Sequence, residues 1–229
     1  MRGFDSYYLI LVIPALLLSM WAQMKVKGSF AKFSKVQTLH GATGAQAARA
    51  ILDGNGLQKV RIEHIAGELT DHFDPRDDVV RLSDSVYAST SVAAVGVAAH
   101  ECGHAVQYSL GYAPMKLRSA IIPITNIGSK LAMPLVLAGL FLSIGPLVNV
   151  GILLFATMTI FQLVTLPVEF NASHRALVTL DSTHMLEDDE LKGAKKVLTA
   201  AALTYVAALV VSAMQLLRLV LIANNRRRR

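Results

Sequence analysis

The sequence predicts a mainly α-helical integral membrane protein with about four transmembrane helices and a small α+β domain at the membrane surface. Three observations lead there. Hydrophobic residues make up 53% of the 229 positions and the mean hydropathy is +0.47, both high for a chain folded in water. The apolar residues gather into runs of spanning length near Tyr7–Met24, Ile121–Ser143, Leu147–Leu166 and Val197–Ala223. Between the first two runs lies a polar stretch that carries both helical and alternating periodicity.

In order, residues 1–24 form an N-terminal transmembrane helix, with Pro14 tolerated where neighbouring groups satisfy the freed carbonyl. Lys25, Lys27, Lys32 and Lys35 follow the run, whereas Arg2 precedes it offset by Asp5. This asymmetry argues against a cleaved signal peptide and puts the N-terminus outside and residue 25 onward in the cytoplasm. Residues 25–118 form the soluble part. Thr43 to Leu52 is a short helix stopped by Asp53-Gly54-Asn55-Gly56. Val60 to Glu63 and Val79 to Leu82 alternate as strands around the turn Asp74-Pro75-Arg76-Asp77, and are expected to pair antiparallel. A linker with Lys116 and Arg118 leads into a transmembrane hairpin, 119–166, broken at Gly145-Pro146. Lys130 is a costly cation inside its first arm, so that arm is expected to emerge into protein or water below it. A polar segment, 167–196, contains Glu187-Asp188-Asp189-Glu190. The final span is 197–223, and a basic tail, 224–229, follows. Four spans return the C-terminus to the outside, where Arg226 to Arg229 oppose the positive-inside preference.

The net charge of +6 does not indicate nucleic acid, because the cations flank apolar runs and no basic stripe is interleaved with aromatics. The tail is read as contacting anionic headgroups or as solvated. The single cysteine, Cys102, excludes an intramolecular disulfide and suits a reducing compartment.

The chemistry concentrates in His100-Glu101-Cys102-Gly103-His104, on a helix of about 90–109 that Ser89-Thr90-Ser91 can cap. Histidines four apart share a helical face, so both imidazoles can bind one Zn²⁺. Glu101 lies about a hundred degrees further round, where its carboxylate reaches water activated by the metal rather than the metal itself. Cys102 points away from that face and is read as packing. A catalytic zinc needs a third protein ligand and an open position. Chain returning from the hairpin offers Glu169 as its first acidic residue, with His174 as the rival.

These stretches resemble a known family, the bacterial membrane zinc metallopeptidases of the neutral type. The likeness rests on Gly41-Ala42-Thr43-Gly44, the segments Gly67 to Pro75 and Val80 to Ser83, Ala98 to Gln107 around the two histidines, and Leu166 to Ser173. More distantly the chain is similar to the gluzincin membrane proteases of the HtpX and CAAX prenyl types. The resemblance implies a zincin-like catalytic domain and, since a glutamate after a transmembrane hairpin completes the site in those enzymes, Glu169 as third ligand. They usually carry an aspartate four residues later that contacts a metal-binding histidine. Here Ser173 stands in its place and can accept from an imidazole N–H more weakly.

The implied activity is zinc-dependent hydrolysis of peptide bonds, with Glu101 taking a proton from water and returning it to the leaving amine. Candidates for oxyanion stabilisation are His72, His174 and Tyr205, although His72 reads better as a turn residue bonded to neighbouring carboxylates. A peptide substrate is expected to add to an edge at Val79, Val80, Arg81 and Leu82. The expected partners are a peptide or protein substrate, membrane proteins included, and the bilayer, with a membrane partner or second copy as a further option. The expected location is the bacterial plasma membrane, multi-pass, with the site on the cytoplasmic side. Two alternatives remain: a zinc-stabilised membrane scaffold with little turnover, and hydrolysis of a non-peptide bond. Glu101 argues against the scaffold, since binding zinc does not require it.

Overall fold

In the computed structural model, which describes residues 6 to 227, the chain is a mainly α-helical membrane protein. A π-helical turn, Tyr8–Val12, leads into α1 (Ile13–Phe33). Then come α2 (Gly44–Gly54), β1 (Arg61–Ile65), β2 (His72–Asp74), β3 (Val79–Ser83), α3 (Val92–Ser109), α4 (Ala113–Phe141), α5 (Gly145–Ser182) and α6 (Asp188–Arg227). Among the described residues, four helices are long and apolar enough to cross a membrane: Tyr8–Phe33, Ala113–Phe141, Gly145–Ser182 and Asp188–Asn225. Arg2, Asp5 and the side chains of Arg226 to Arg229, which bear on the topology, lie outside the described residues.

The chain divides into two compact units. One comprises the segments up to Gln23, from Lys116 to Leu166 and from Thr204 onward; the other comprises Met24–Met115 and Pro167–Leu203. In the first, Ala132, Val136, Phe155 and Leu219 form a small buried cluster. The expected linker after Pro114 is helix instead. Pro114 stands in the first turn of α4, where a missing N–H costs nothing, and Lys116 and Arg118 follow within the helix. Lys130 is exposed on an unbroken α4, so the helix does not end there. The hairpin breaks at residues 142–144, just before Gly145-Pro146, because Pro146 starts the next helix rather than ending the turn. Asn225 near the end of α6 donates to the Tyr7 hydroxyl at 2.9 Å, so the start of the first apolar helix and the end of the last lie together, as an even number of crossings requires.

The second unit holds the sheet. Thr43 caps α2 through a reciprocal pair with Gln46, at 3.2 Å from the Gln46 N–H and 2.9 Å back to Gln46 Oε1. The strand order is β1-β3-β2, with β3 parallel to β1 and antiparallel to β2. This corrects the expected antiparallel pair. His72-Phe73-Asp74 is short and polar enough to read as a turn, so β1 and β3 looked consecutive, and consecutive strands default to a hairpin. β2 makes the hairpin with β3, which then slots in beside β1. Val79 to Leu82 is therefore the central strand, buried at Val79, Val80 and Leu82, and has no free edge. Arg81 is bound to Asp77 at 2.7 Å, Asp74 at 3.1 Å and Glu63 at 3.3 Å. It is a clasp across the sheet.

α3 crosses the core of this unit, and nearly every residue from Val92 to Gln107 is buried. Its small side chains allow close neighbours. A Cβ added at Gly103 would lie 2.7 Å from the carbonyl oxygen of Ala172 on α5. Backbone cannot yield as a flexible side chain can. Gly103→Ala should destabilise the protein in detergent by about 1–3 kcal/mol. Gly54→Ala, where nothing lies within 4 Å, should stay within about 0.5 kcal/mol of the parent. Denaturant unfolding of the two variants checks this.

Candidate metal centre

Helix α3 owes its start to Ser91, whose hydroxyl accepts from the Ala94 N–H at 3.2 Å. From that start, His100 and His104 fall one turn apart on the same face, with ring centroids 4.7 Å apart and nearly perpendicular. α5 is 38 residues long, about 57 Å at 1.5 Å per residue, and so runs well beyond a bilayer core of about 30 Å. Glu169 stands on that long helix and not on a loop. Its Oε2 lies 3.3 Å from His100 Nε2 and 3.6 Å from His104 Nε2. The three ligand atoms are within 4.8 Å of one another, the one such group among the described residues. Glu169 is 2% exposed and His104 8%.

Two imidazole nitrogens and one carboxylate oxygen form the donor set that zinc favours, and three protein ligands leave a position open. Burial disfavours a protonated His104, but its bond to Glu169 and the charge of Glu101 together hold its pKa above the ordinary value. A pocket that raises the proton affinity of a buried imidazole is one that welcomes a cation. The residues fit the metal.

The outer contacts orient the rings. Gln107, fully buried, gives its NH₂ to the Val168 carbonyl at 2.8 Å and to Asn171 Oδ1 at 3.0 Å. A carbonyl only accepts, so the Gln107 amide cannot be turned round, and its Oε1 faces His104 Nδ1 at 3.0 Å. A neutral His104 therefore keeps its proton on Nδ1 and presents the lone pair of Nε2 toward Glu169. Asn171 is in turn held by Arg175 Nε at 2.8 Å. Ser173 Oγ lies 3.2 Å from His100 Nδ1, the contact expected of it. Gln107 and Asn171 carried no role in the sequence reading. Gln107 sits three residues after His104, on the same face, which was the available signal.

Glu101 is 8% exposed, and its Oε2 accepts the Phe73 N–H at 3.1 Å. That amide belongs to β2 and faces away from β3, so the unpaired edge of β2 looks toward α3. Cys102 is fully buried and donates to the Ala48 carbonyl at 3.5 Å. Burial and the charge of Glu101 push its thiol pKa far up, so it is packing. His72 is exposed on β2 and bonds the Thr70 carbonyl through Nδ1 at 2.8 Å, not a carboxylate. His174 is exposed on α5, outside the ligand group, beside a groove with Asn55 and Arg175. Tyr205 belongs to the other unit.

Gln107→Leu keeps the volume and removes the acceptor at His104 Nδ1. Zinc affinity, read by competition with a chelating dye, should fall about 10–100-fold.

The description "Putative neutral zinc metallopeptidase" matches residues 8–224. A curated relative, "Putative membrane protease YugP" of Bacillus subtilis (strain 168), is 50% identical over 220 residues, which is 96% of this chain and 98% of that protein. No solved structure matches. With the match running from the first membrane helix to the end of the last, the chain belongs to the putative neutral zinc metallopeptidase family.

Proposed function

We propose that the protein is a membrane-embedded zinc endopeptidase in which His100, His104 and Glu169 hold the metal and Glu101 is the general base. The observation that carries this reading is the position of Glu101. A metal site for structure alone does not need a carboxylate beside its ligands. Here one is nearly buried and held in place by a backbone amide. Zinc bound at the site supplies Lewis acidity, which makes water a nucleophile near neutral pH and polarises a carbonyl.

Around it each residue has a task. Glu101 takes the proton from the attacking water and delivers it to the leaving amine. The Phe73 N–H engages Oε2 and leaves Oε1 available for that transfer. Gln107 and Ser173 keep the Nδ1 atoms of His104 and His100 occupied, so that the Nε2 atoms face the metal. The sheet edge nearest Glu101 belongs to β2, and an extended peptide alongside it would run beside the site. The lysines that follow the first apolar run support a multi-pass bacterial plasma-membrane protein with this unit on the cytoplasmic side. Its substrate class is unfolded or membrane-associated polypeptide.

The test uses wild type and Glu101→Gln purified in detergent, with zinc content and cleavage of an unfolded protein measured on both. Equal zinc with cleavage reduced about 10²–10⁴-fold in the variant is the expected outcome. Zinc in both and cleavage in neither would favour the scaffold reading. No zinc in either would sink the metal assignment.

The contact between Phe73 and Glu101 has its own check. Proline at position 73 removes an amide that is not part of the sheet ladder, so the sheet should tolerate it. Phe73→Pro should bind zinc like the parent yet cleave roughly tenfold or more slowly. Unchanged turnover would exclude a role for the Phe73 N–H in holding Glu101.

A further inference from the structure

In the unit that holds the sheet, α1 and α6 meet at Gly193, where an added Cβ would lie 2.8 Å from the ring of Phe33. Beside this contact runs a groove of about 530 Å³. From α1 it takes Lys25, Ser29, Lys32 and Phe33, spaced i, i+4, i+7, i+8, one face of a helix. From α6 it takes Lys192, Lys195, Lys196, Thr199 and Ala200, again one face. Five lysines therefore ring one cleft between two helices. Lys192 is paired with Asp189 at 2.7 Å, and Lys32 stands 5.5 Å from the centre of the Phe33 ring. Lys195 and Lys196 have no carboxylate partner among the described residues. Like charges gathered on one cleft repel one another unless an anion sits among them.

The level of the groove indicates the anion. On α1 it begins at Lys25, the residue after the apolar run that ends at Met24. On α6 it ends at Thr199 and Ala200, where the run from Val197 begins. Both helices thus place it where a spanning segment leaves hydrocarbon for headgroups. We infer that this cleft is a binding site for an anionic phospholipid. The lysine ammonium groups would hold the headgroup phosphate, and the Ser29 and Thr199 hydroxyls add donors. A general positive flank would explain cations on any face. It does not explain two helical faces turned into one cleft.

The test uses the full-length protein in detergent, with lipid retention measured by native mass spectrometry against added phosphatidylglycerol or phosphatidylcholine. Wild type should retain phosphatidylglycerol in preference. A lysine near an anionic surface is worth about fivefold in binding, so Lys32→Gln/Lys195→Gln/Lys196→Gln should lose on the order of a hundredfold. The matching triple Arg variant, which keeps the charge, should retain the preference and shows that the positions tolerate change. Lys27→Gln/Lys35→Gln, outside the groove, should also retain it. The inference is overturned if wild type does not discriminate between the lipids, or if the groove variant keeps the preference. It is overturned too if the control pair loses the preference equally, or if inorganic phosphate or a polyglutamate peptide displaces the lipid at equal concentration.

Discussion

The site depends on one close approach. α3 and α5 come together at Gly103 and Ala172, near enough that a methyl group would collide with backbone. That spacing lets Glu169 reach between His100 and His104, with its carboxylate 3.3 and 3.6 Å from the two Nε2 atoms. The same approach lets Gln107 bridge to Val168 and Asn171. Gly103, between the two histidines, thus sets the distance at which Glu169 arrives, while the histidines set only the direction from which it must come.

A buried carboxylate between two imidazoles is expensive without a cation, and the surroundings are arranged to keep it so. Each ring has its outer nitrogen occupied, by Ser173 for His100 and by Gln107 for His104. The orientation of Gln107 is forced by the Val168 carbonyl, so the protonation pattern of the site follows from a backbone atom three links away. Opposite these contacts, Glu101 is held by the backbone of β2. The Glu169 side and the Glu101 side of the cluster are therefore fixed by different elements, α5 and the sheet, and α3 is common to both.

The charges divide by role. Inside the centre they are few, buried and paired with one another. On the sheet, Arg81 gathers three carboxylates into a surface clasp on the central strand. Where α1 and α6 leave their apolar runs the lysines converge with fewer partners. A membrane protein can leave cations there because anionic headgroups lie at that level.

The sequence by itself determined the four apolar helices, the helix bearing His100, Glu101 and His104, and the turn-capped α2. Each of these rests on periodicity, on run length or on i, i+4 spacing, which are local properties of the chain. It offered Glu169 as the first acidic residue returning from the hairpin, and Ser173 through a resemblance, and the geometry brings both to the histidines. Only the tertiary structure decided the sheet order, because β2 is three polar residues whose pairing comes from β3 and not from its own pattern. Only the tertiary structure brought in Gln107, Asn171 and the Phe73 amide. Their roles come from facing α5 or α3 across long sequence separations, and no local spacing encodes a contact between residues 61 or 28 positions apart. It also decided that residues past Pro167 continue α5. A helix already satisfied over its transmembrane length meets nothing in the polar stretch up to Ser182 that stops it.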